Sequence, residues 1–378
     1  MVSVSLTKCT SYDQAEVDLA IQKSFSAISG LANYIKPGQR VLIKPNMLMG
    51  LSAEKGATTH PSTLRAVIKA VKALGAIPIV GDSPGFESFK RVAEKCGIMA
   101  VINAEQVSFS EFNQAKEIEF KEGFVCRRLS LVKDVFDVDC IINLAKLKSH
   151  GFTGITAAVK NLFGCIHGLT KSQFHVRYPN KNDFDLMMLD LLRIIKPSIN
   201  IVDAVVAMEG EGGPSTGSLR KMGLILCGTD AVAVDSVCAA LTGKQPLDFN
   251  FLRLAFEKNI GQTDLAKIEI IGEKLADYVC TDFKHIKTNR SQMIPPWVPK
   301  FIVEFVRGLL LDRPVVQKDK CIKCGACSTV CASKAITPKN GTPQFNYSKC
   351  IRCFCCQEMC KYKAIKVKRS ILSRFFLL

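Results

Sequence analysis

Long apolar runs are missing from the sequence. No run approaches the roughly 18 consecutive apolar residues of a membrane span. Residues 1–8 lack the apolar core and cleavage site of a signal peptide. Both absences lead to the expectation of a soluble, cytoplasmic protein. A reducing compartment excludes a disulfide framework, so the 17 cysteines read as metal ligands and buried thiols. No G-x-x-x-x-G-K-[ST] phosphate loop is present, and no G-x-G-x-x-G opens a helix after a strand. No helix pattern carries two metal ligands at i and i+4. Acids are scarce, 34 against 51 Lys and Arg, for a net charge of +17. That excess suggests nucleic acid, but there is no recognised motif and no interleaving of aromatic and basic residues for base stacking.

Cysteine is abundant, and nine of the 17 fall between Cys321 and Cys360. They read Cys321-x-x-Cys324-x-x-Cys327-x-x-x-Cys331, then Cys350-x-x-Cys353-x-x-Cys356-x-x-x-Cys360. The second run repeats the first at an offset of 29 residues. Three close thiolates can wrap one face of an iron–sulfur cube, with the fourth crossing to the other cube. The expected sets are Cys321, Cys324, Cys327 and Cys360 for one [4Fe–4S] cluster, and Cys350, Cys353, Cys356 and Cys331 for the other. Cys355 aligns with Ala326, a non-ligand place. Zinc is the rival reading, but this spacing is not that of a zinc ribbon. The module resembles bacterial two-cluster ferredoxins, except that Ala332 and Lys361 stand where a proline usually follows the fourth cysteine. Residues 315–378 also concentrate basic charge, which suits an acidic redox partner. A solvated basic face is the plain alternative.

Upstream, residues 1–290 alternate short apolar runs with helical patterns. The expected class is α/β, a largely parallel sheet flanked by helices, followed by a small α+β ferredoxin-like domain. Strands are expected at 2–7, 41–44, 77–80, 140–144, 199–206, 222–227 and 267–271. Helices are expected at 14–34, 61–74, 86–96, 183–195, 229–241 and 247–258, with short mixed strands over 98–135. Residues 291–314 read as an amphipathic linker helix with one broad apolar face. Packing on the α/β domain is the leading reading of that face, and contact with a membrane surface the alternative. The cluster domain is placed at 315–369 and an apolar tail at 370–378.

In an open parallel sheet, ligands bind beyond the carboxyl ends of the strands. Polar residues collect there: Lys44 and Asn46, then Asp82, then Lys146, Lys148 and His150, then Asp203 and Glu209. Lysines that emerge from apolar strands need an anionic partner or water. With Lys160 and Asn161 they read as a pocket for a small anion. His150 and His175 are candidate catalytic proton donors. The stretch 164–175 reads as a lid. A His-based metal site with Asp82, Asp203 or Glu209 is a further alternative.

The motifs K-P-N (44–46), T-T-H-P (58–61), N-L-A-K-L-K-S-H (143–150), V-K-N-L-F-G (159–164), E-G-x-G-P-x-x-G (209–217, with one glycine more) and D-A-V-A-V-D (230–235) together resemble domain-of-unknown-function family 362. The resemblance spans about residues 1–245 and implies a fold and a frequent pairing with a ferredoxin module, but no reaction.

The leading expectation is an iron–sulfur oxidoreductase that relays electrons through two [4Fe–4S] clusters to an anionic substrate or cofactor. The competing readings are a non-catalytic electron carrier or assembly factor, and a basic binding protein whose clusters are structural or redox-sensing. Anaerobically purified protein is expected to carry about eight irons and a reducible [4Fe–4S] signal. Metal analysis that finds zinc in their place overturns the cluster reading.

Overall fold

A computed structural model describes residues 2–85, 87–168, 170–211, 215–286 and 312–368. The expected linker helix lies almost wholly outside the described residues, and so does the apolar tail.

The α/β part is built on one nine-stranded sheet. The strands that form it are β1 (Val2–Lys8), β2 (Arg40–Pro45), β3 (Ile77–Gly81), β4 (Ser108–Ser110), β7 (Cys140–His150), β8 (Gly154–Thr156), β9 (Ile199–Glu209), β10 (Ser218–Gly228) and β11 (Ile268–Gly272). β5 (Ala115–Glu119) and β6 (Arg128–Val132) form a separate hairpin. The order across the sheet is β11-β1-β10-β9-β7-β2-β3-β4, with β8 added to the end of β7. β4, β3, β2, β7 and β9 run parallel, while β10 is antiparallel to both β9 and β1.

Side chains alternate across the sheet, as the two-residue period of a strand requires. Leu42 packs on one face, with Val41 and Ile43 on the other. The second face is covered by α1 (Gln14–Ala27), α2 (Pro61–Ala73), α3 (Phe89–Lys95) and α4 (Ile98–Ala104). The first is covered by α5 (Ala158–Asn161), α6 (Thr170–Arg177), α7 (Lys181–Ile195), α8 (Ala231–Leu241) and α9 (Asn250–Glu257). β7 sits between β2 and β9 and is buried along its whole length.

Three expectations are corrected. The helix expected over 14–34 stops at Ala27, because Ser29 and Gly30 take positive φ and a separate helical turn, Leu31–Asn33, follows. The mixed strands expected over 98–135 begin instead with α4, whose Ile98, Val101 and Ile102 face the core. Pro314, expected to close the linker helix, lies inside β12 (Arg313–Val316), paired with β15 (Ile365–Lys368).

The C-terminal module also contains the hairpin β13 (Ile336–Lys339) and β14 (Thr342–Phe345). Its internal repeat is visible in the backbone. Lys323 and Arg352, Gly325 and Phe354, and Lys334 and Lys363 are pairs at the repeat offset, and all six take positive φ. The module docks over the carboxyl edge of the large sheet. Met49, Val330 and Met359 form a small apolar core with Leu48, Leu51 and Cys355. Beside it the Lys361 ammonium bonds Glu87 Oε2 at 2.7 Å and donates to Gly50 O at 3.0 Å. Gly50 N in turn donates to Glu87 Oε2 at 2.8 Å. Lys361, one of the two residues that depart from the ferredoxin pattern, is therefore a docking residue.

The Glu87–Lys361 pair is mostly out of water, so removing one partner leaves the other charge stranded. Lys361→Glu and Glu87→Lys are each expected to cost about 3 kcal/mol of stability. The double swap is expected to recover part of the loss, as read by anaerobic denaturant unfolding.

Candidate functional site

The carboxyl ends of β2, β3 and β7 converge beneath the docked module on a cavity of about 130 Å³. From the α/β side it is lined by Lys44, Asn46, Asp82, Lys146, Lys148, His150, Lys160, Asn161, Lys171 and His175. From the cluster module it is closed by Val330, Cys355, Glu358 and Met359.

Each lysine is placed by a particular contact. Lys44, at the end of β2, pairs with Asp82, just past β3, at 2.7 Å. Asp82 also accepts Met47 N at 2.7 Å. The pair needs Gly164: a Cβ there would collide with both Asp82 Oδ1 and the Lys44 ammonium. Lys146 pairs with Asp203 at 2.9 Å and donates to the Tyr12 hydroxyl at 2.6 Å. Tyr12 donates in turn to Asp203 at 2.8 Å and stacks on His60. Lys148 donates to Asn46 Oδ1 at 2.6 Å and to Ala57 O at 2.7 Å. Lys171 donates to the carbonyls of Ser83 and Pro84. Lys160 rests on the Phe163 ring at 4.1 Å, a cation–π contact.

A chain of amides holds the floor of the cavity. Asn143 Nδ2 donates to Asn200 Oδ1 at 2.9 Å, and Asn161 Nδ2 to Asn143 Oδ1 at 2.8 Å. Asn46 Nδ2 donates to Asn161 Oδ1 at 3.0 Å. Every carbonyl therefore points along the chain toward Lys148, which polarises it. α5, which carries Lys160 and Asn161, is fixed by Asp235 of α8. The Asp235 carboxylate accepts Ala158 N at 2.6 Å and Val159 N at 3.0 Å.

The two histidines differ in their bonding. His150 Nδ1 accepts Phe152 N and Thr153 N at 3.0 and 3.2 Å. Its proton therefore sits on Nε2, which lies 3.2 Å from Glu358 Oε1. Burial, with Lys160 next, lowers the His150 pKa well below its ordinary value. His175 stacks on Phe184 at 4.6 Å, and its buried Nδ1 has no hydrogen-bond partner among the described residues. Burial lowers it to about 3. Both rings are neutral near pH 7.

Not every residue singled out in the sequence reaches the cavity. Asp203 lies behind it, between Lys146 and Tyr12. Glu209 is turned away and held by Arg220 at 3.1 Å and by Lys284 N at 3.2 Å. Among the described residues, the expected His-based metal site with Asp82, Asp203 or Glu209 is not assembled: no group of three or more His, Asp or Glu is placed to hold a metal ion. Lys171 had been read only as part of a lid. Glu358, Met359, Tyr12 and Asn200 carried no signal, because they arrive from elements remote in sequence.

The cysteines divide into two groups. Cys321, Cys324, Cys327 and Cys360 line one small cavity, and Cys331, Cys350, Cys353 and Cys356 line another together with Cys355. The fourth cysteine of each run accepts a backbone N–H, Ala335 N to Cys331 Sγ at 3.2 Å and Ala364 N to Cys360 Sγ at 3.3 Å. Four thiols with aimed amides fit a cluster held as thiolates. Cys355 also borders the lysine cavity.

Residues 41–240 match the family model described as a domain of unknown function, DUF362. The chain belongs to the DUF362 family. Residues 313–361 match a 4Fe–4S dicluster domain, so the cofactors are two [4Fe–4S] clusters. The chain has a curated relative in a thylakoid-associated protein of Synechocystis, 35% identical over 245 residues, or 65% of this chain and 75% of that protein. Among solved structures, the lactate racemase apoprotein of Thermoanaerobacterium thermosaccharolyticum aligns at a TM-score of 0.42 and 12% identity. That alignment covers 64% of this chain and 57% of the racemase. No helix among the described residues is long and apolar enough to cross a membrane.

The buried lysines give this DUF362 protein a defined pH dependence. Burial pulls Lys148 and Lys171 down to about 7. In the unfolded chain a lysine keeps its proton to about pH 10.4. Between these values the unfolded state binds more protons, so stability rises with pH. Asp235 and Glu358, raised to about 7 by burial, oppose this only below that pH. Buried thiols such as Cys9, raised from 9.0 to about 12, oppose it only above pH 9.0. The thermal midpoint is therefore expected to rise from pH 7 to about pH 8.5 in low-anion buffer, with a smaller slope in Lys148→Met. Anaerobic circular dichroism melts at stepped pH test this.

Proposed function

We propose that the protein is an iron–sulfur oxidoreductase whose C-terminal module relays electrons to an anionic substrate or cofactor held in the lysine-lined cavity. One observation carries the reading: Cys355 borders both the lysine cavity and the cavity lined by Cys331, Cys350, Cys353 and Cys356. A ligand among the lysines would lie beside that cysteine set. The clusters supply single electrons.

On this reading Lys44, Asn46, Lys146, Lys148, Lys160 and Asn161 hold and orient the anion, and Asp82 fixes Lys44. The docked module excludes water, which strengthens those interactions. His150 and His175, proposed from the sequence as proton donors, are neutral imidazoles here and act by hydrogen bonding to the ligand or its neighbours. Lys148 and Lys171 line the cavity and are better matched to proton donation near neutral pH. Cys324, by contrast, is exposed at the far cluster site, with Ile322, Lys320, Lys323, Tyr362 and Lys363 also exposed. That basic face, with apolar residues within it, suits an acidic redox partner.

The test is single-turnover reoxidation. Anaerobic protein is reduced with dithionite and freed of excess reductant. It is then mixed with the small-molecule fraction of a cell extract retained on an anion exchanger. Cluster absorbance is expected to recover, and to recover at least about tenfold more slowly in Lys146→Met and in His150→Gln at unchanged iron content. Recovery at the native rate in both variants removes the cavity as acceptor site. Recovery with the protein fraction alone supports the carrier reading.

A further inference from the structure

The cavity holds more hydrogen-bond donors than the protein satisfies. An ammonium group has three donors and no acceptor. Lys44 pairs with Asp82 at 2.7 Å and directs one hydrogen bond, to Pro45 O at 3.3 Å. Lys146 directs two, to Asp203 and Tyr12. Lys148 directs two, to Asn46 and Ala57. Lys171 directs two, to Ser83 and Pro84. Each keeps at least one donor unused among the described residues. Lys160 makes no hydrogen bond or ion pair among the described residues and keeps all three. His175 adds a buried Nδ1 with no partner among the described residues.

Charge is unbalanced in the same sense. Five lysines line the cavity, and the carboxylates set against them are Asp82, Glu358 and, behind Lys146, Asp203. With all five lysines protonated, the form that an anion among them favours, and all three carboxylates ionised, two positive charges remain. Lys44, Lys146 and Lys148 are among the largest fully buried side chains of the protein. The few waters that a cavity of about 130 Å³ can hold screen such an excess weakly, and an uncompensated buried charge is strongly unfavourable. The clusters are the rival counter-charge, but no cavity lysine donates to a cysteine sulfur among the described residues. Met47, Phe163, Val330 and Met359 give the wall an apolar part.

We propose that the cavity binds a small organic dianion, a phosphate monoester or a dicarboxylate, whose two charges and acceptor oxygens complete the lysine set while a short hydrocarbon part meets the apolar wall. This rests on the reading of the cavity as the substrate site and names the class of substrate. A dianion takes up the free donors of Lys160 and the remaining donors of its neighbours. A monoanion leaves one buried positive charge without a partner. The size of the cavity limits the ligand to a few heavy atoms beyond its anionic groups.

The experiment is calorimetric titration of the anaerobic, cluster-loaded full chain with matched pairs. Succinate is compared with butyrate, and methyl phosphate with dimethyl phosphate. At least one dianion is expected to bind ten or more times more tightly than its monoanion partner. The pair that shows the larger ratio identifies the head group. Lys160→Met is expected to reduce that ratio to threefold or less at unchanged cluster absorbance. Should that variant lose its clusters, Lys160→Gln replaces it, and the wild-type ratios stand without either. Equal binding of dianions and monoanions overturns the dianion proposal and leaves an anion site in place. No binding of any of the four compounds overturns the proposal and the anionic-substrate reading together, and assigns the lysines to balancing the clusters.

Discussion

An ammonium group taken out of water must find a carboxylate, a carbonyl or a ligand, and five such groups share one cavity here. Much of the surrounding structure follows from that requirement. Asp82 and Asp203 sit against Lys44 and Lys146 as buried counter-charges. Gly164 has no side chain because the Lys44–Asp82 pair occupies the space one would fill. The amide chain from Asn200 to Asn46 aims its last carbonyl at Lys148. Burying so many ammonium groups together costs stability, and a cavity lined by them is a candidate binding site.

The second constraint is closure. The lysine floor belongs to the sheet, but the roof belongs to the cluster module, through Val330, Cys355, Glu358 and Met359. Glu87 and Lys361 hold the two together at one edge, and His150 meets Glu358 at another. The same short segment of the module therefore supplies cluster cysteines, a non-ligand cysteine and the cavity wall. On the proposed reading, iron–sulfur chemistry and anion binding meet at that segment.

Much of the candidate site was legible because strands announce their ends. Apolar runs stop at Lys44, Asp82 and Lys146, and parallel strands present their carboxyl ends on one edge of the sheet. Asp203 and Glu209 obeyed the same rule and were still misplaced. β9 carries the first behind Lys146, and the pairing of β9 with β10 hands the second to Arg220. Lys171, Glu358 and Tyr12 were illegible for a different reason. They lie on loops or short elements with no periodicity of their own, and distant pairings bring them in. Lys361 showed in the sequence only as a missing proline.

The sequence by itself determined the ferredoxin-type module, its cysteine repeat, the family motifs and the α/β alternation. These depend on local spacing, and spacing is preserved along a chain. Only the tertiary structure decided that the lysines and the module meet at one cavity, that Glu358 and Met359 close it, and that Lys160 is left without an acceptor among the described residues. Those facts depend on which remote segments share a boundary and on how buried charges are balanced. Burial and charge balance belong to the packed molecule, and no local pattern of residues encodes them.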